Sequence, residues 1–386
     1  MKKTILLTAL VVLCTAGVEA QTNTLQQSRR IDSFLLKEMN AIGIPGLAVA
    51  IVENGKSVYQ RTFGKANLEW DAPVTARTAF QIASVTKLFT STLVLKWVQE
   101  GKIHLEDHVL NYFPDGPQSW KSIEVQHLLS HQSGIPWPSS IGGFIGMKAS
   151  GTNKPPTKEE IYKDMRDSAL TFVPGTKESY INGDHFILQM ILEKIGGKPF
   201  PRLLEEEVLL PLNMYGSGYD LELRELPFQV MKVLPQKTQL YTKGKTSPYI
   251  LKGFYNSNSY TAAALYLSIQ DAIKWAIALD KGVFIKGPLL DSIKAPMPLK
   301  GSFTKLGWIS ETIYGQECFG HSGGPGLGHI LRLPDKKLTI IVLNNYADLY
   351  PYLATALVGI CTNAPQIKEE NARNKTLNRG FDGKLE

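Results

Sequence analysis

Hydrophobic positions near both ends of the chain fall in short runs separated by turn residues, which is typical of β-strands. Residues 46–52 form one apolar run, and residues 57–61 form a second, β-rich run. The Glu-Asn-Gly-Lys sequence at 53–56 separates them, and Asn-Gly between two such runs is a strong hairpin signal. Towards the C-terminus, four consecutive strands are predicted at 306–309, 318–322, 328–333 and 338–344, with a hairpin turn at 335–337.

The middle of the chain has helical periodicity, broken by loops rich in proline and glycine. Helices are predicted at 31–39, 125–130, 158–166, 186–195 and 352–361. Strands at both ends around a helical middle predict an α/β (α+β) protein, with an antiparallel sheet flanked by helices and built from both termini. The expected domains are a discontinuous sheet domain (25–106 and 255–364), an inserted, mainly helical domain (107–254) and a polar tail (365–386). A ligand is expected in the cleft between the two domains.

The first 20 residues have the pattern of a signal peptide. Lys2 and Lys3 precede an apolar run at residues 5–13, which is too short to span a bilayer, and small residues allow cleavage after Ala20. Lipidation at Cys14 is the less favoured alternative, because a large leucine precedes that cysteine. The chain is therefore expected to be exported, to the periplasm or beyond, without a stable membrane span in its mature form.

Charge and cysteine content narrow the function classes. The 386-residue chain has a net charge of +7, which becomes +6 when two lysines and one glutamate leave with the signal peptide. Its lysines are dispersed, so no nucleic-acid site is expected. Cys318 and Cys361 either form one disulfide or remain two thiols, and their spacing does not decide between these. A zinc site made of cysteines and histidines is not indicated.

Ser84-Val85-Thr86-Lys87 opens the longest apolar stretch of the mature chain. A serine and a lysine three residues apart share one helix face, so the lysine amine can take the serine proton and activate a nucleophile. The other interpretation of Ser84 is a helix N-cap. A second match, Ser302 to Lys305, follows Gly301 and leads into the predicted strand at 306–309, which indicates a turn serine instead.

Tyr180-Ile181-Asn182 lies in a predicted loop before a helix. A tyrosine has a reference pKa of about 10, so it is a poor base unless a nearby cation such as Lys87 stabilises its phenolate. The plain alternative is a loop tyrosine that only packs against its neighbours.

His321-Ser322-Gly323-Gly324 lies at a predicted strand end. Its glycines would let a substrate approach the backbone, and a backbone N–H here would form an oxyanion hole with that of Ser84. Ser322 is a candidate donor to a substrate carboxylate, and His321 a candidate donor or pH-dependent positive charge. The same stretch matches the Gly-x-Ser-x-Gly elbow of α/β-hydrolases. That fold needs an acid and then a histidine downstream, and no acid lies before the last histidine, His329.

His127 and His131 lie four residues apart on a predicted helix, a spacing that can bind zinc. They have no glutamate of the metalloprotease pattern between them and no evident third ligand. A structural pair is therefore the favoured interpretation.

Taken together, the Ser-x-x-Lys, Tyr-x-Asn and His-Ser-Gly segments occur in order, about 100 and then about 140 residues apart. This arrangement resembles the penicillin-recognising serine hydrolases, which include class C β-lactamases, serine D-alanyl-D-alanine carboxypeptidases, D-aminopeptidases and related esterases. The resemblance covers residues 31–360 and includes supporting stretches at 44–50, 128–134 and 174–176. It implies a β-lactamase/transpeptidase-like fold.

The resemblance also implies catalytic roles. Ser84 would be the acylated nucleophile, Lys87 would assist its deprotonation, and Tyr180 would act as a base or proton shuttle. The backbone N–H groups of Ser84 and Gly324 would form the oxyanion hole. No metal or organic cofactor is implied.

Substrate-binding roles follow from the same resemblance. Asn182 would bind the substrate amide, and His321, Ser322 and Gly323 would line the strand beside the substrate. Histidine at 321 differs from the lysine of class C β-lactamases, which argues against efficient β-lactam hydrolysis. It is more similar to the carboxypeptidase and D-aminopeptidase branches, so the resemblance implies a carboxypeptidase-like hydrolase. The alanines at 262–264 also stand where relatives commonly have a pair of glycines.

The expected function is that of an exported serine hydrolase, which acts through an acyl-enzyme on small peptide, amide, ester or β-lactam substrates. Two alternatives remain open: an esterase with little β-lactam activity, and a non-catalytic module that binds cell-wall peptides. The intact Ser-x-x-Lys pair argues against the second, because a pure binder does not need an activated serine. The oligomeric state stays open.

Overall fold

The computed structural model describes residues 25–137, 156–224, 230–231, 233–244, 246–251, 257–294, 299–324, 326–349 and 351–364. The predicted signal peptide and polar tail lie outside these ranges. The helices are α1 (25–42), α2 (Thr86–Gln99), α3 (Val125–Leu129), α4 (Lys158–Arg166), α5 (Asn182–Gly196), α6 (Phe200–Leu204), α7 (Ile269–Asp280), α8 (Gly287–Lys294) and α9 (Leu353–Thr362).

The strands are β1 (Gly46–Glu53), β2 (Lys56–Asn67), β3 (Ala72–Pro73), β4 (Ala79–Gln81), β5 (Gly218–Tyr219), β6 (Glu222–Arg224), β7 (Val230–Met231), β8 (Tyr241–Thr242), β9 (Tyr249–Ile250), β10 (Leu265–Ser268), β11 (Thr304–Lys305), β12 (Trp308–Ile313), β13 (Gln316–Gly323), β14 (Gly328–Leu333) and β15 (Leu338–Asn344).

One antiparallel sheet joins both ends of the chain. Its order is β11-β12-β13-β14-β15-β1-β2-β3, and β1 pairs with both β2 and β15. The mixed α/β fold with a sheet built from both termini is therefore confirmed. Residues 46–52 of β1 are all apolar and buried instead of alternating, because helices cover both faces of the sheet.

Two hydrophobic cores lie on opposite faces of this sheet. The first core contains Ala48 and Ala50 of β1 together with Leu88 of α2 and Trp275 of α7. The second core contains the alternate β1 residues, of which Val49 is one, together with side chains of α1 and α9. The site strands therefore rest on a support that is packed from both sides.

The segment between residues 107 and 254 carries α3, α4, α5 and α6, but it also contains five short strands. One of them, β5, pairs with β10, which in turn pairs with β4 immediately before the Ser84 turn. The inserted segment is thus attached to the α2 region by a small three-stranded sheet.

The predicted strand at 306–309 begins two residues too early, because Trp308 and Ile309 belong to β12 but Leu306 and Gly307 do not. Leu306 and Gly307 have φ values of 50° and 84°, and Lys305 pairs with Trp308 across them. Positive φ at both central residues is the geometry of a two-residue type I′ hairpin turn, which joins β11 to β12. The turn was not predicted because residues 306–309 read as an apolar, strand-like run, in which only Gly307 indicates a turn. Across the described ranges, no helix combines the length and the apolar character that crossing a membrane requires.

Candidate active site

Ser84 lies in a 3-10 turn, Ala83–Val85, that leads directly into α2. From Thr78 to Leu95, every residue except Ser84 is buried, so this serine alone reaches the surface of an otherwise closed segment. Ala83 has a φ of 44°, a left-handed conformation that is costly for a residue with a Cβ atom. Strain of this kind is concentrated at functional sites, and here it fixes the direction of the Ser84 side chain.

Lys87 lies below Ser84 and is fully buried. Its Nζ lies 3.3 Å from Ser84 Oγ, 2.9 Å from Asn182 Oδ1 and 2.9 Å from the carbonyl oxygen of Ala262. The amide and carbonyl oxygens can only accept hydrogen bonds, so Nζ must donate to both. An uncharged amine has two N–H groups and one lone pair, and the third direction is the one that faces Ser84.

The charge state of Lys87 follows from its burial. Burial lowers the pKa of this amine to about 7, because a cation inside the protein loses its hydration. Its three polar contacts are a hydroxyl, an amide and a carbonyl, so none of them is a carboxylate that would restore the charged form. Around neutral pH, a substantial fraction of Lys87 is therefore the neutral amine.

Tyr180 covers this lysine from the loop before α5. Lys87 Nζ lies 5.0 Å from the centroid of its ring, and its hydroxyl lies 3.4 Å from His321 Nε2. His321 Nδ1 is 2.7 Å from the carbonyl oxygen of Ser322, so Nδ1 carries the proton and Nε2 can accept from Tyr180. The histidine thus orients the tyrosine hydroxyl.

The prediction that His321 supplies a pH-dependent positive charge is wrong. Burial, and next to it the charge of Lys87, lowers the pKa of this imidazole to about 3. Only 3% of the residue is exposed. His321 is therefore neutral throughout the physiological range, and it contacts Tyr180 from inside the protein.

Asn182 is the first residue of α5, which begins four residues before the predicted start at 186. The side-chain oxygen that accepts from Lys87 belongs to this first turn, so α5 fixes the position of the amide. Of the Tyr-x-Asn segment, Tyr180 and Ile181 precede the helix, and Asn182 begins it.

The end of β13 lies beside the Ser84 turn. A Cβ atom added to Gly323 would lie 2.2 Å from the carbonyl oxygen of Ile82, so this glycine is needed for packing against the turn. It was predicted to admit a substrate, but the Ile82 backbone occupies that space. Gly324 is exposed, and a Cβ atom there would meet nothing within 4 Å. Ser322 is partly exposed at the same strand end.

Three alternative sites do not form. Ser302 lies in a turn before β11, where its hydroxyl donates to the carbonyl oxygen of Leu299, so Ser302 and Lys305 do not share a helix face. No helix follows Ser322, because β13 turns back into β14, which excludes a nucleophile elbow. His127 Nδ1 accepts from the backbone N–H of Glu124 as part of a helix cap. Among the described residues, no cluster of metal-ligating side chains is present.

Cys318 and Cys361 are both free thiols. Burial raises the pKa of each to about 12, so neither is a reactive thiolate at neutral pH.

Several residues that contact the site were not predicted from the sequence. Ala262 contributes a backbone carbonyl to Lys87, which no side-chain pattern reveals. His131 lies against the Tyr180 ring at 4.4 Å between centroids, and Asp184 lies behind it. The available signal was the Leu-Leu-Ser-His-Gln-Ser-Gly stretch at 128–134, which supports the family resemblance but does not indicate a contact between His131 and Tyr180.

Comparison with known proteins identifies the family of this chain. The family model described as Beta-lactamase matches residues 31–357. Protein flp of Staphylococcus aureus (strain MRSA252) is 27% identical over 202 residues, which are 51% of this chain and 39% of that protein. A Bacillus subtilis (strain 168) protein that carries the name penicillin-binding protein PbpX is 26% identical over 264 residues, 68% of this chain and 61% of its own length. The chain thus spans less than two thirds of these relatives.

Two solved structures share the fold. The octameric penicillin-binding protein homologue from Pyrococcus abyssi has a TM-score of 0.70 at 24% identity, covering 86% of this chain and 77% of that one. A chain described as SurE has a TM-score of 0.72 at 18% identity, covering 89% and 78%. With the family match over most of the sequence, the chain belongs to the Beta-lactamase family, and the predicted resemblance to the penicillin-recognising serine hydrolases is confirmed.

Proposed function

We propose that this protein is a serine hydrolase that forms an acyl-enzyme at Ser84 and acts on amide, peptide or ester substrates. Membership of the Beta-lactamase family supports hydrolase chemistry in general. The observation that carries the proposal for this site is the arrangement around Lys87. In the neutral amine, two N–H groups serve the two oxygen acceptors, which would leave the lone pair for the Ser84 hydroxyl 3.3 Å away.

Acylation follows from this arrangement. The Lys87 lone pair takes the Ser84 proton while Ser84 Oγ forms a bond to the substrate carbonyl carbon. The backbone N–H groups of Ser84 and Gly324 are the proposed donors to the resulting oxyanion. Collapse of the tetrahedral intermediate breaks the bond to the leaving group, which departs with the proton that Lys87 took from Ser84. Water then attacks the acyl carbon, and its proton returns to the Ser84 oxygen as the acid is released.

Tyr180 is the proposed proton shuttle between the site and the leaving group. Its ring lies over Lys87 and its hydroxyl contacts His321 Nε2, so Tyr180 lies between two groups that can take part in proton transfer. Asn182 uses its side-chain oxygen for Lys87, which leaves its NH2 group as the donor to a substrate carbonyl. Ser322 and Gly323 belong to the strand that would lie beside the substrate.

The substrate class is argued from charge. Neutral, buried His321 stands where class C β-lactamases have a lysine, so this position offers no cation to a β-lactam carboxylate. An ester or neutral amide therefore fits better than a β-lactam or a D-alanyl-D-alanine peptide. A purely binding role is less favoured, because burying an unpaired lysine beneath a serine is expensive and useful mainly for proton transfer.

Turnover of three substrates tests the proposal: a p-nitrophenyl ester, a D-alanyl-D-alanine peptide and a chromogenic cephalosporin. The expected result is measurable ester hydrolysis that falls by about 10³-fold or more in Ser84→Ala. Ser302→Ala is the matched control, because it changes the second Ser-x-x-Lys serine and should keep full activity. Activity that survives Ser84→Ala, or no activity on any substrate, would contradict the proposal.

Export belongs to the same proposal. It rests on the basic start, the short apolar run and the small residues before Gln21. Expression in a bacterial host, followed by mass measurement of the protein released from the periplasm, should give a chain that begins at Gln21. A full-length chain found only in the cytoplasm would contradict export.

A further inference from the structure

Behind Tyr180 and Lys87 lies a buried cluster of three ionisable side chains that the proposed mechanism does not use: His131, Asp184 and His185. At most 1% of each residue is exposed. The His131 and His185 rings are 5.4 Å apart between centroids. Burying such groups together costs free energy unless they are neutral or hydrogen-bonded, so the contacts of His131 and Asp184 matter.

His131 holds the loop that carries Tyr180. Its carbonyl oxygen accepts from the backbone N–H of Ser179 at 2.8 Å, and its ring Nδ1 accepts from that of Ile181 at 3.4 Å. The ring itself packs against the Tyr180 ring. The residues on both sides of the tyrosine, and the tyrosine ring, are therefore all fixed by one histidine.

Asp184 contacts the same ring nitrogen of this histidine. Its Oδ1 accepts from the Ser133 hydroxyl at 2.5 Å, and that hydroxyl in turn accepts from the backbone N–H of Ile135. Its Oδ2 lies 3.4 Å from His131 Nδ1 and receives no hydrogen bond from any described residue. Because Nδ1 already accepts from Ile181, it holds no proton that it could donate to Oδ2.

This pattern is the one expected of a carboxylic acid, not a carboxylate. A buried carboxylate oxygen without a donor is expensive, whereas an O–H group at Oδ2 faces an acceptor nitrogen. The Nδ1 lone pair is then shared by two donors, which fits the 3.4 Å length of both contacts. Shared hydrogen bonds of this kind are common in proteins.

The surrounding charges agree with a neutral acid. The ionisable groups that face the cluster are Lys87, Tyr180 and His321. Burial holds the pKa of Asp184 well above its usual range, and burial together with Lys87 holds the pKa values of His131 and His185 well below theirs. The cluster then carries no charge of its own.

We propose that Asp184 is a positioning residue that acts as a neutral carboxylic acid, donating to His131 and so fixing the loop that places Tyr180 over Lys87. This inference rests on the proposed function, since the loop matters only if Tyr180 takes part in the reaction. The neutral state also suits the reaction, because an anion at Asp184 would favour protonated Lys87, which cannot accept the Ser84 proton.

The Asp184→Asn variant tests this directly, because an asparagine can accept from Ser133 and donate to His131 without a charge. It should keep kcat within about threefold of the native value and leave the acidic limb of the pH profile in place. Asp184→Leu should lower kcat by on the order of 10²-fold with less effect on KM, because the loop loses its anchor. If Asp184 is an anion, Asp184→Asn will move the acidic limb to lower pH, since Lys87 then loses a stabilising charge.

Stability supplies a readout that needs no substrate. The folded state holds the Asp184 proton more tightly than the unfolded state, so the native protein loses stability as pH rises from about 4 towards the folded pKa. Asp184→Asn should therefore raise Tm at pH 7 and have its smallest effect near pH 4. Asp271→Asn is the matched control: Asp271 is equally buried but pairs with Lys274 and accepts from Gly216 and Ser217, so this change should lower Tm.

Nitrogen NMR of the His131 ring completes the test. The expected signals are an unprotonated Nδ1 and a protonated Nε2 from pH 5 to pH 9. A charged imidazole, a protonated Nδ1 or a lower Tm for Asp184→Asn at pH 7 would overturn the inference. The Tm and NMR measurements do not depend on turnover, so they test the role of Asp184 even if the proposed hydrolase function is wrong. Conversely, the turnover assays test the hydrolase function even if the proposed role of Asp184 is wrong.

Discussion

At the scale of the residue, the chemistry depends on one lysine and its lack of a counter-ion. Lys87 has two carbonyl-type acceptors and one hydroxyl around its amine, and none of them is a carboxylate. Burial then lowers the pKa of the amine to about 7. Lys305 has the same spacing from Ser302, but it lies on strand β11 and shares no helix face with that serine, so it is not placed to take the serine proton.

This environment predicts the pH dependence of acylation. The lowered pKa of Lys87 means that the amine loses its proton as pH rises through about 7. The rate constant for acylation should therefore increase about tenfold per pH unit below 7 and level off above it. Stopped-flow measurement with a p-nitrophenyl ester checks this. A rate that instead rises only above pH 9 would show that Lys87 keeps an ordinary pKa.

Lys87→Met removes the base and keeps the length of the side chain. It should reduce acylation by about 10³-fold or more, with Ser84 still in place. Lys96→Met is a suitable control, since Lys96 lies on the same helix but forms ion pairs with Glu100 and Glu207 away from the site. Equal loss of activity in both variants would indicate a general loss of structure in α2 and not the loss of a base.

Sequence patterns predicted which residues form the site better than they predicted the charges and backbone contacts of those residues. Ser84, Lys87, Tyr180, Asn182 and His321 come together as expected, because their order and spacing define the pattern. The neutrality of His321 and the carbonyl contact from Ala262 were not predictable, since both depend on which surfaces close over the lysine. Burial and backbone direction are properties of the folded chain, so no local sequence pattern predicts them.

At the scale of the element, the central contact is between β13 and the turn that carries Ser84. Gly323 lets the strand lie directly against the carbonyl group of Ile82. The next residue in the turn is Ala83, whose backbone has the strained, positive φ. The position of the nucleophile is thus determined by a strand that is distant in sequence. The hairpin turn at Leu306 and Gly307 is a second such tie, because the Leu306 carbonyl accepts from Ser91 of α2.

Gly323→Ala tests this contact. The added methyl group would lie 2.2 Å from the Ile82 oxygen, so strand and turn must separate. We expect a destabilisation of about 1–3 kcal/mol, together with a loss of acylation that exceeds what the lost stability explains. Urea unfolding and acylation kinetics measure the two effects.

Gly218→Ala is the control, because its nearest contact of 3.5 Å is an ordinary one. If Gly323→Ala acylates at the native rate, the position of Ser84 does not depend on this strand contact.

At the scale of the whole molecule, the sheet ties the two ends of the chain together. β1 is paired on one side by β2 and on the other by β15, so neither terminal part completes the sheet alone. This arrangement was predictable, because strand-like runs at both ends and helical runs between them leave few ways to bury every apolar face. The pairing of β5 with β10 was not, since two-residue strands carry no periodic signal.

Truncation at the C-terminus tests the role of α9 in this closure. Leu353, Leu357 and Val358 are buried in the second core, and removing each large apolar side chain costs about 2–5 kcal/mol. A chain that ends after Pro351 should therefore fail to fold, whereas one that ends after Ala364 should keep the native Tm and activity. Circular dichroism and thermal unfolding distinguish these outcomes, and a folded, active chain without α9 would contradict the proposed closure.

The central claim is that Ser84 is the activated nucleophile of this molecule. Its most direct test is mass spectrometry of the intact protein after reaction with a fluorophosphonate, followed by peptide mapping of the adduct. The serine oxygen displaces fluoride from phosphorus, so one phosphonyl group should be added, located on Ser84, with a much slower reaction in Lys87→Met and none in Ser84→Ala. An adduct on Ser302 or Ser322, or an equal rate in Lys87→Met, would contradict the claim.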